Sequence, residues 1–244
     1  IEAQNLFGPR SCEIHGIKTF NGAKADDVIL KTASVIINTK SPLASVFDDV
    51  IIGKQAILPE VDGIVYEDRL GTTGWIYRKK ILVGTRDLLI HHGVPMLKED
   101  FEKKYTRKGR KVLYLAEAGK LMAMFVVSYS ADPQLKKALR KLEKSGMTIL
   151  VRSADPFIND ESIAELFELP DGYIRVMNSS NGRAFEKYSN LFAQKSPAYI
   201  VHNGSALGLV SAFSAAEDLQ ETRKLISVLI SFGSALGLGV VGLL

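Results

Sequence analysis

One segment restricts the fold of this chain more than any other, because it joins a hairpin, a capped helix and a buried strand in a single run. Residues 111–127 have the pattern of a β-hairpin. Asp132-Pro133 predicts a helix start, since aspartate caps a first turn and proline suits the first helical position. An apolar stripe over 135–142 continues this helix, and residues 147–151 predict a buried strand.

Similar patterns predict further elements on both sides of this segment. Apolar residues at helical spacing over 26–38 indicate a helix, and Ser41-Pro42 begins another. The remaining predicted elements are strands over 64–67, 74–77, 80–84 and 197–202 and helices over 85–92 and 161–167. Alternation of strands and helices of this kind predicts a parallel sheet wound with helices.

Charge and cysteine content exclude several classes of protein. The net charge is +4, from 31 basic and 27 acidic residues, and much of the excess falls within 103–111. This basic run is typical of a solvated linker and no base-reading motif accompanies it, so we expect no nucleic-acid partner. The single cysteine, Cys12, excludes an internal disulfide framework and a multi-cysteine zinc site, and it fits a reducing, cytosolic setting. No signal-peptide pattern begins at Ile1.

The segment 225–244 is apolar and carries no charge over twenty residues. As a helix it would be about 30 Å long, which is enough to cross the hydrocarbon core of a bilayer. Arg223 and Lys224 precede it, as is typical of a cytoplasmic boundary. Two interpretations remain open, a transmembrane helix and a buried helix of a folded domain.

Two motifs around the capped helix resemble a known domain. Ala131-Asp132-Pro133 stands at the helix start, and Ser153-Ala154-Asp155 follows the predicted strand. This order resembles the phosphorylation domain of P-type cation-transporting ATPases, a member of the haloacid-dehalogenase-like superfamily. In that domain an Ala-Asp-Pro helix start precedes a strand that ends in Thr-Gly-Asp. Only the aspartate of the second motif, Asp155, is retained in this chain.

Three stretches in the first half resemble the nucleotide-binding domain of the heavy-metal branch of this family. They are 39–44, 69–72 and 83–85, which stand in the places of Ser-Glu-His-Pro-Leu-Ala, Gly-x-Gly-Val and Val-Gly-Asn. Ser41 replaces the histidine that contacts adenine, Arg69 replaces the first loop glycine, and Thr85 replaces the asparagine. The resemblance implies a nucleotide site, with ATP as its ligand, at Ser41, Arg69, Gly71, Thr72, Gly84 and Thr85.

The resemblance also implies a fold and a domain order. We expect an α/β haloacid-dehalogenase-like (Rossmann-like) domain into which an α+β nucleotide-binding-type domain is inserted. The phosphorylation-type domain is expected at 1–24 and 106–220, the inserted domain at 25–105, and a hydrophobic helix, with a membrane crossing as one of its interpretations, at 221–244.

The residues that phosphoryl transfer needs are largely replaced. The Asp-Lys-Thr-Gly-Thr motif, which supplies the nucleophile in the family, is absent, and Glu2 stands in its place. Glutamate is one methylene longer, which would displace the attacking oxygen by about one ångström. The later Gly-Asp-Gly-x-Asn-Asp motif is replaced by 202–207, which contains no carboxylate. Glu2 and Asp155 are therefore the candidate catalytic residues, a Mg²⁺ site is doubtful, and no metal ligands are assigned.

Two functions follow as hypotheses from this resemblance. In the first, the chain is the cytoplasm-facing nucleotide-binding and phosphorylation region of a P-type ATPase-like membrane protein. It has lost phosphorylation, and it serves as a binding or regulatory module that works with the rest of that protein. In the second, it is an active P-type ATPase or phosphohydrolase that couples ATP hydrolysis to metal transport through Glu2 or Asp155. Whether the chain is an enzyme is left open.

Overall fold

Six antiparallel strands form the main sheet in the computed structural model, which describes residues 1–8, 11–39, 41–178, 181–182, 184, 187 and 204–241. The strands are Cys12–Thr19 (β1), Asp62–Glu67 (β2), Gly71–Ile76 (β3), Lys79–Gly84 (β4), Lys111–Glu117 (β5), Lys120–Tyr129 (β6), Ile149–Arg152 (β7) and Ile174–Met177 (β8). The α-helices are Ala3–Leu6 (α1), Ala25–Asn38 (α2), Leu43–Val50 (α3), Arg86–His91 (α4), Glu99–Lys103 (α5), Pro133–Glu143 (α6), Asp160–Phe167 (α7) and Ala206–Val241 (α8).

These strands form two sheets of different kinds. The main sheet has the order β1-β6-β5-β4-β3-β2, and every neighbouring pair in it is antiparallel. Strands β7 and β8 form a separate parallel pair, and α7 makes the crossover between them. The mixed α/β fold predicted from the sequence is confirmed. The prediction of a parallel sheet holds for β7 and β8 but is wrong for the main sheet, whose strands are joined largely by short hairpin turns.

Helices cover both faces of the main sheet. On one face α2 and α3 pack against apolar side chains of the strands, and the Phe47 ring meets Phe125 edge-on at 5.4 Å between ring centroids. On the other face Leu88 and Leu89 of α4 pack against Tyr114. Strand β5 therefore has buried residues pointing both ways, which explains its nearly continuous apolar sequence.

The segment 111–151 forms the predicted hairpin, capped helix and strand. The hairpin turns at Ala118 and Gly119, which have φ angles of 48° and 77°. Asp132 caps α6 by accepting a hydrogen bond from the Leu135 amide at 2.8 Å, with proline in the first turn. The predicted helix over 161–167 is also present as α7.

The hairpin of β5 and β6 belongs to the main sheet. The predicted range 106–220 groups this hairpin with the phosphorylation-type unit, yet β5 pairs with β4 and β6 pairs with β1. Because these ladders are continuous, the hairpin cannot be separated from β2–β4 without breaking the sheet. The domain ranges themselves remain predictions, and we propose 12–129 as the extent of the inserted domain.

The last described helix, α8, begins much earlier than predicted. A hydrophobic helix is predicted to begin near Leu225, whereas α8 begins at Ala206, because the residues before the apolar stretch are also helical. Ala206 and Val210 are buried in the main core, and Lys141 of α6 pairs with Asp218 at 2.5 Å. Among the described residues, no helix combines the length and hydropathy of a membrane crossing. The side chains of 232–244 and the predicted strand 197–202 lie outside the described part of the chain.

Candidate functional site

A cavity of about 280 Å³ lies where the two sheets meet. One wall is the turn between β2 and β3, residues 66–69. The opposite wall is formed by 153–155 and 176–178, which follow or end β7 and β8, and by 158–160 at the start of α7. The carboxyl ends of parallel strands are the usual place for ligands in open α/β sheets, so this cavity is the candidate site.

Asp155 is the most buried carboxylate at this cavity, with 4% of its surface exposed. Its Oδ2 accepts hydrogen bonds from the Ser41 hydroxyl at 2.5 Å and from the Tyr129 hydroxyl at 2.9 Å. Its Oδ1 accepts the Phe157 amide at 2.9 Å. Burial raises the pKa of Asp155, although the hydrogen bonds from Ser41, Phe157 and Tyr129 act in the opposite direction.

Ser41 and Tyr129 hold this carboxylate from the side of the main sheet. Ser41 is fully buried at the start of α3, where its Oγ also accepts the Leu43 amide at 3.0 Å. Burial and the nearby Asp155 charge raise the pKa of Tyr129 well above its ordinary value, so its hydroxyl keeps its proton and donates. The contribution of Tyr129 has no local signal in the sequence, because its role depends on a strand-end position that only the fold defines.

Glu2 lies on the other side of β7. It forms an isolated parallel bridge with Arg152, and the Arg152 amide donates to the Ile1 carbonyl at 2.9 Å. The Glu2 carboxylate is 3.6 Å from the Arg152 guanidinium, and both side chains are about a third exposed. Glu2 is not among the described residues that line the cavity. The two candidate catalytic carboxylates therefore flank β7 without sharing one cavity.

Arg69 lines the cavity from a strained turn. Its φ angle is 64°, in the left-handed region that glycine adopts readily and that costs other residues about 1 kcal/mol. Its side chain is exposed, and no ion pair holds it within the described part of the chain. The guanidinium is thus available to an anionic ligand.

Four other residues of the predicted nucleotide site do not line the cavity, and each has a role in the main sheet or at the start of α4. Gly71 and Gly84 are register partners, and a Cβ on Gly71 would lie 2.4 Å from the Val83 carbonyl oxygen. Thr72 is buried between strands, and the Thr85 hydroxyl caps α4 by accepting from the Leu88 amide at 3.4 Å. Of the eight predicted site residues, Arg69 and Asp155 line the cavity and Ser41 lies behind Asp155.

Glu67 begins a polar chain that the sequence analysis did not identify. Its carboxylate accepts from the Thr73 hydroxyl and from His92 Nε2, each at 2.7 Å. Lys80 lies 2.9 Å from His92 Nδ1, and since an ammonium group only donates, Nδ1 accepts and Nε2 carries the proton. Burial opposes ionisation of Glu67, but the hydrogen bonds from Thr73 and His92 outweigh it and lower its pKa.

The described residues include no cluster of three histidine, cysteine or acidic side chains that could hold a metal ion. Gly204, in the segment 202–207, makes a turn with a φ angle of 84°. Ser205 accepts the Gly208 amide at 2.9 Å and begins α8. His202 and Asn203 of the same segment lie outside the described residues.

These observations define a class of protein with a mixed α/β fold and a cavity at the ends of two parallel strands. No family model matches the chain. The chain is 23% identical over 176 residues to copper-transporting ATPase 2 of Rhizobium meliloti (strain 1021). This match covers 72% of the chain but only 21% of the relative. The homology confirms the predicted resemblance to heavy-metal P-type ATPases.

Several solved structures are also similar to the chain. A zinc-transporting PIB-type ATPase in an E2·Pi state has 12% identity and a TM-score of 0.42, covering 74% of this chain and 29% of that one. The N-domain of a copper-transporting P-type ATPase has 15% identity and a TM-score of 0.39, covering 48% of this chain and 99% of that one. The catalytic domain of a CPx-ATPase has 18% identity and a TM-score of 0.39, covering 74% and 62%.

Proposed function

We propose that this chain is the cytoplasm-facing nucleotide-binding and phosphorylation region of a heavy-metal P-type ATPase-like membrane protein. In this proposal it no longer forms a phosphorylated carboxylate and acts as a binding or regulatory module for the rest of that protein. The haloacid-dehalogenase-like identity of the β7–β8 unit is part of the same proposal. The observation that carries it is the buried, hydrogen-bonded state of Asp155.

Phosphoryl transfer to a carboxylate requires an accessible ionised oxygen and a metal ion that neutralises the phosphate. Burial raises the pKa of Asp155 and disfavours its ionisation, and three accepted hydrogen bonds occupy its two oxygens. Turning its carboxylate towards a phosphate would break the bonds from Ser41 and Tyr129. Glu2 is paired with Arg152 outside the cavity. These two environments support a loss of phosphorylation.

The described residues do not fit ATP in the manner that the resemblance implies. Ser41, in the place of the adenine-contacting histidine, is fully buried, and its hydroxyl donates a hydrogen bond to Asp155. The cavity of about 280 Å³ is at the lower end of the range for ligand sites. Arg69 supplies the group that suits a phosphate, because its guanidinium can donate two hydrogen bonds to one oxyanion. The proposed module therefore recognises the phosphate end of a nucleotide more strongly than its base.

The alternative is an active ATPase or phosphohydrolase, which the position of Asp155 at the carboxyl end of β7 favours. Calorimetric titration of the chain with ATP, with and without Mg²⁺, separates the two. A retained module binds ATP through Arg69, and Mg²⁺ does not strengthen that binding. An active site requires Mg²⁺ and binds the metal complex more tightly than free ATP.

A matched pair of variants makes this titration specific. Arg69→Gln removes the cation at the cavity, whereas Arg78→Gln removes one from another hairpin turn with the same left-handed backbone, φ 62°. The proposal expects Arg69→Gln to weaken ATP binding about tenfold or more and Arg78→Gln to leave it unchanged. Equal effects of both variants would remove Arg69 from the proposed site, and Mg²⁺-strengthened binding would favour the active enzyme.

A further inference from the structure

A second cavity, of about 300 Å³, lies on the opposite side of the main sheet from α2 and α3. One side is formed by residues 15–18 of β1, and the floor includes Met124 and Val126 of β6. The other side is formed by Lys104, Tyr105 and Arg110, which lie in the segment that joins α5 to β5. Neither the proposed nucleotide site nor the phosphorylation chemistry uses this cavity.

Three cationic side chains line this cavity without acidic partners. Lys18, Lys104 and Arg110 form no ion pair with any carboxylate in the described part of the chain. The Lys18 ammonium lies 4.7 Å from the centre of the Phe101 ring, a cation–π contact that holds it at the side of the cavity. Three uncompensated cations around one cavity create a positive potential that attracts an anion.

The neighbouring carboxylates are used elsewhere, so they do not neutralise these cations. Glu102 pairs with Arg86 at 3.4 Å and accepts the Tyr114 hydroxyl at 3.0 Å. Asp100 lies 3.5 Å from Lys103. The basic run 103–111, which is predicted to be a solvated linker, therefore has two kinds of environment. Part of it is paired or exposed, and Lys104 and Arg110 face a cavity.

We propose that this cavity binds a small organic anion of the phosphate type. The cations would contact the phosphate, while Ile17, Met124 and Val126 offer an apolar surface to the rest of the molecule. The volume suits a single phosphorylated group. Both a free phosphate compound and the headgroup of an anionic lipid present this chemistry.

Two probes distinguish these sources with the intact 244-residue chain. Inorganic pyrophosphate is titrated by calorimetry, and vesicles of phosphatidylcholine with phosphatidic acid are used in co-sedimentation. Binding of pyrophosphate identifies a soluble phosphate as a ligand, and binding only to the phosphatidic acid vesicles identifies a lipid headgroup. Failure of both probes to bind overturns the proposal.

Matched variants show whether the binding belongs to this cavity. Lys104→Gln with Arg110→Gln is expected to weaken the binding probe about tenfold or more, since two charge-assisted contacts are lost. Lys137→Gln with Lys144→Gln removes the same charge from exposed positions of and after α6 and should change binding less than about twofold. Should the first pair unfold the chain, Lys18→Gln is expected to weaken the same probe several-fold. Equal weakening by both pairs would mean diffuse attraction to the net charge and would overturn the site.

The variant Arg69→Gln distinguishes anion binding at this second cavity from nucleotide binding at the first cavity. The second cavity predicts that pyrophosphate or vesicle binding persists in this variant, even when its ATP binding and any pyrophosphate contact of Arg69 are lost. Loss of the probe in Arg69→Gln would place the anion in the first cavity and contradict the second site. The two proposals can therefore fail independently.

Discussion

The Ser41 hydroxyl donates a 2.5 Å hydrogen bond to Asp155 across a sequence separation of 114 residues. This bond joins the start of α3, which packs on the main sheet, to the loop that follows β7. Because Tyr129 at the end of β6 donates to the same oxygen, one buried carboxylate connects the two sheets. A carboxylate held in this way contributes to the assembly of the fold.

Ser41→Ala tests this connection. The variant removes one donor to a buried carboxylate, and it should lower the free energy of unfolding by about 1–3 kcal/mol. Urea denaturation followed by circular dichroism measures the change. Ser45→Ala, on the exposed side of the same helix, is the control and should cost less than about 0.5 kcal/mol. Equal stabilities for the two variants would show that the Ser41 bond contributes nothing.

The raised pKa of Asp155 predicts a particular pH dependence. A carboxyl whose pKa is higher in the folded chain than its ordinary 3.8 binds more protons when folded, so it reduces stability as the pH rises through that window. The Asp155→Asn variant cannot ionise at this position, so it lacks this pH-dependent loss of stability. The stability of the original chain relative to Asp155→Asn should therefore fall as the pH rises from 3.8 through the raised pKa of the folded state. A constant or rising difference would contradict the buried, proton-retaining carboxyl.

Lys31 and Glu117 form a buried ion pair. Their charged atoms are 2.6 Å apart, and their side chains are 11% and 7% exposed. Burial opposes both charges, but hydrogen bonds outweigh it, so the pKa of Glu117 is lowered and that of Lys31 is raised.

Lys31→Ala should therefore destabilise the chain by about 3 kcal/mol, because among the described residues Glu117 then pairs only with the more exposed Lys79. The lowered Glu117 pKa means that its contribution is present above the ordinary 4.5 and is lost as the pH falls through the folded value. Chemical denaturation at neutral and acidic pH measures both effects. Lys79→Ala, which removes a 60% exposed lysine, is the control and should cost about 1 kcal/mol or less.

Gly71 is predicted to be intolerant of any side chain. A Cβ there would lie 2.4 Å from the Val83 carbonyl oxygen and 2.5 Å from the Gly84 Cα. Gly71→Ala should cost about 3 kcal/mol or more, since the β3–β4 ladder must separate to relieve the contact. Gly119→Ala is a control with positive φ but no neighbouring atom within 4 Å, so it should cost only about 1 kcal/mol. Thermal unfolding of both variants separates the contact from the backbone strain.

Local elements could be predicted from the sequence because their signals are local. Asp132-Pro133 caps α6 as expected, and helical spacing identified α2. Strand β1 was not predicted, since exposed and buried residues alternate poorly around its bulge between Ile14 and Gly16. The pairing of the β5–β6 hairpin with β1 and β4 depends on contacts between distant segments, which local patterns do not encode.

The candidate site could likewise be predicted only where its signals are local in the sequence. Asp155 and Arg69 could be identified by their places in motifs that resemble a known family, and both line the cavity. The use of Ser41 and Tyr129 as donors to Asp155 could not, because it depends on how the two sheets pack. Glu2 matched the position of the nucleophile in the sequence, but its pairing with Arg152 appears only in the fold.

Formation of an acid-stable phosphoenzyme from labelled ATP and Mg²⁺ tests the central claim most directly. The purified chain, with Glu2→Gln and Asp155→Asn as controls, is quenched in acid and its protein-bound phosphate is counted. The account predicts no incorporation above background in any of the three. Incorporation that disappears in Glu2→Gln or in Asp155→Asn would contradict it and identify an active phosphorylation site.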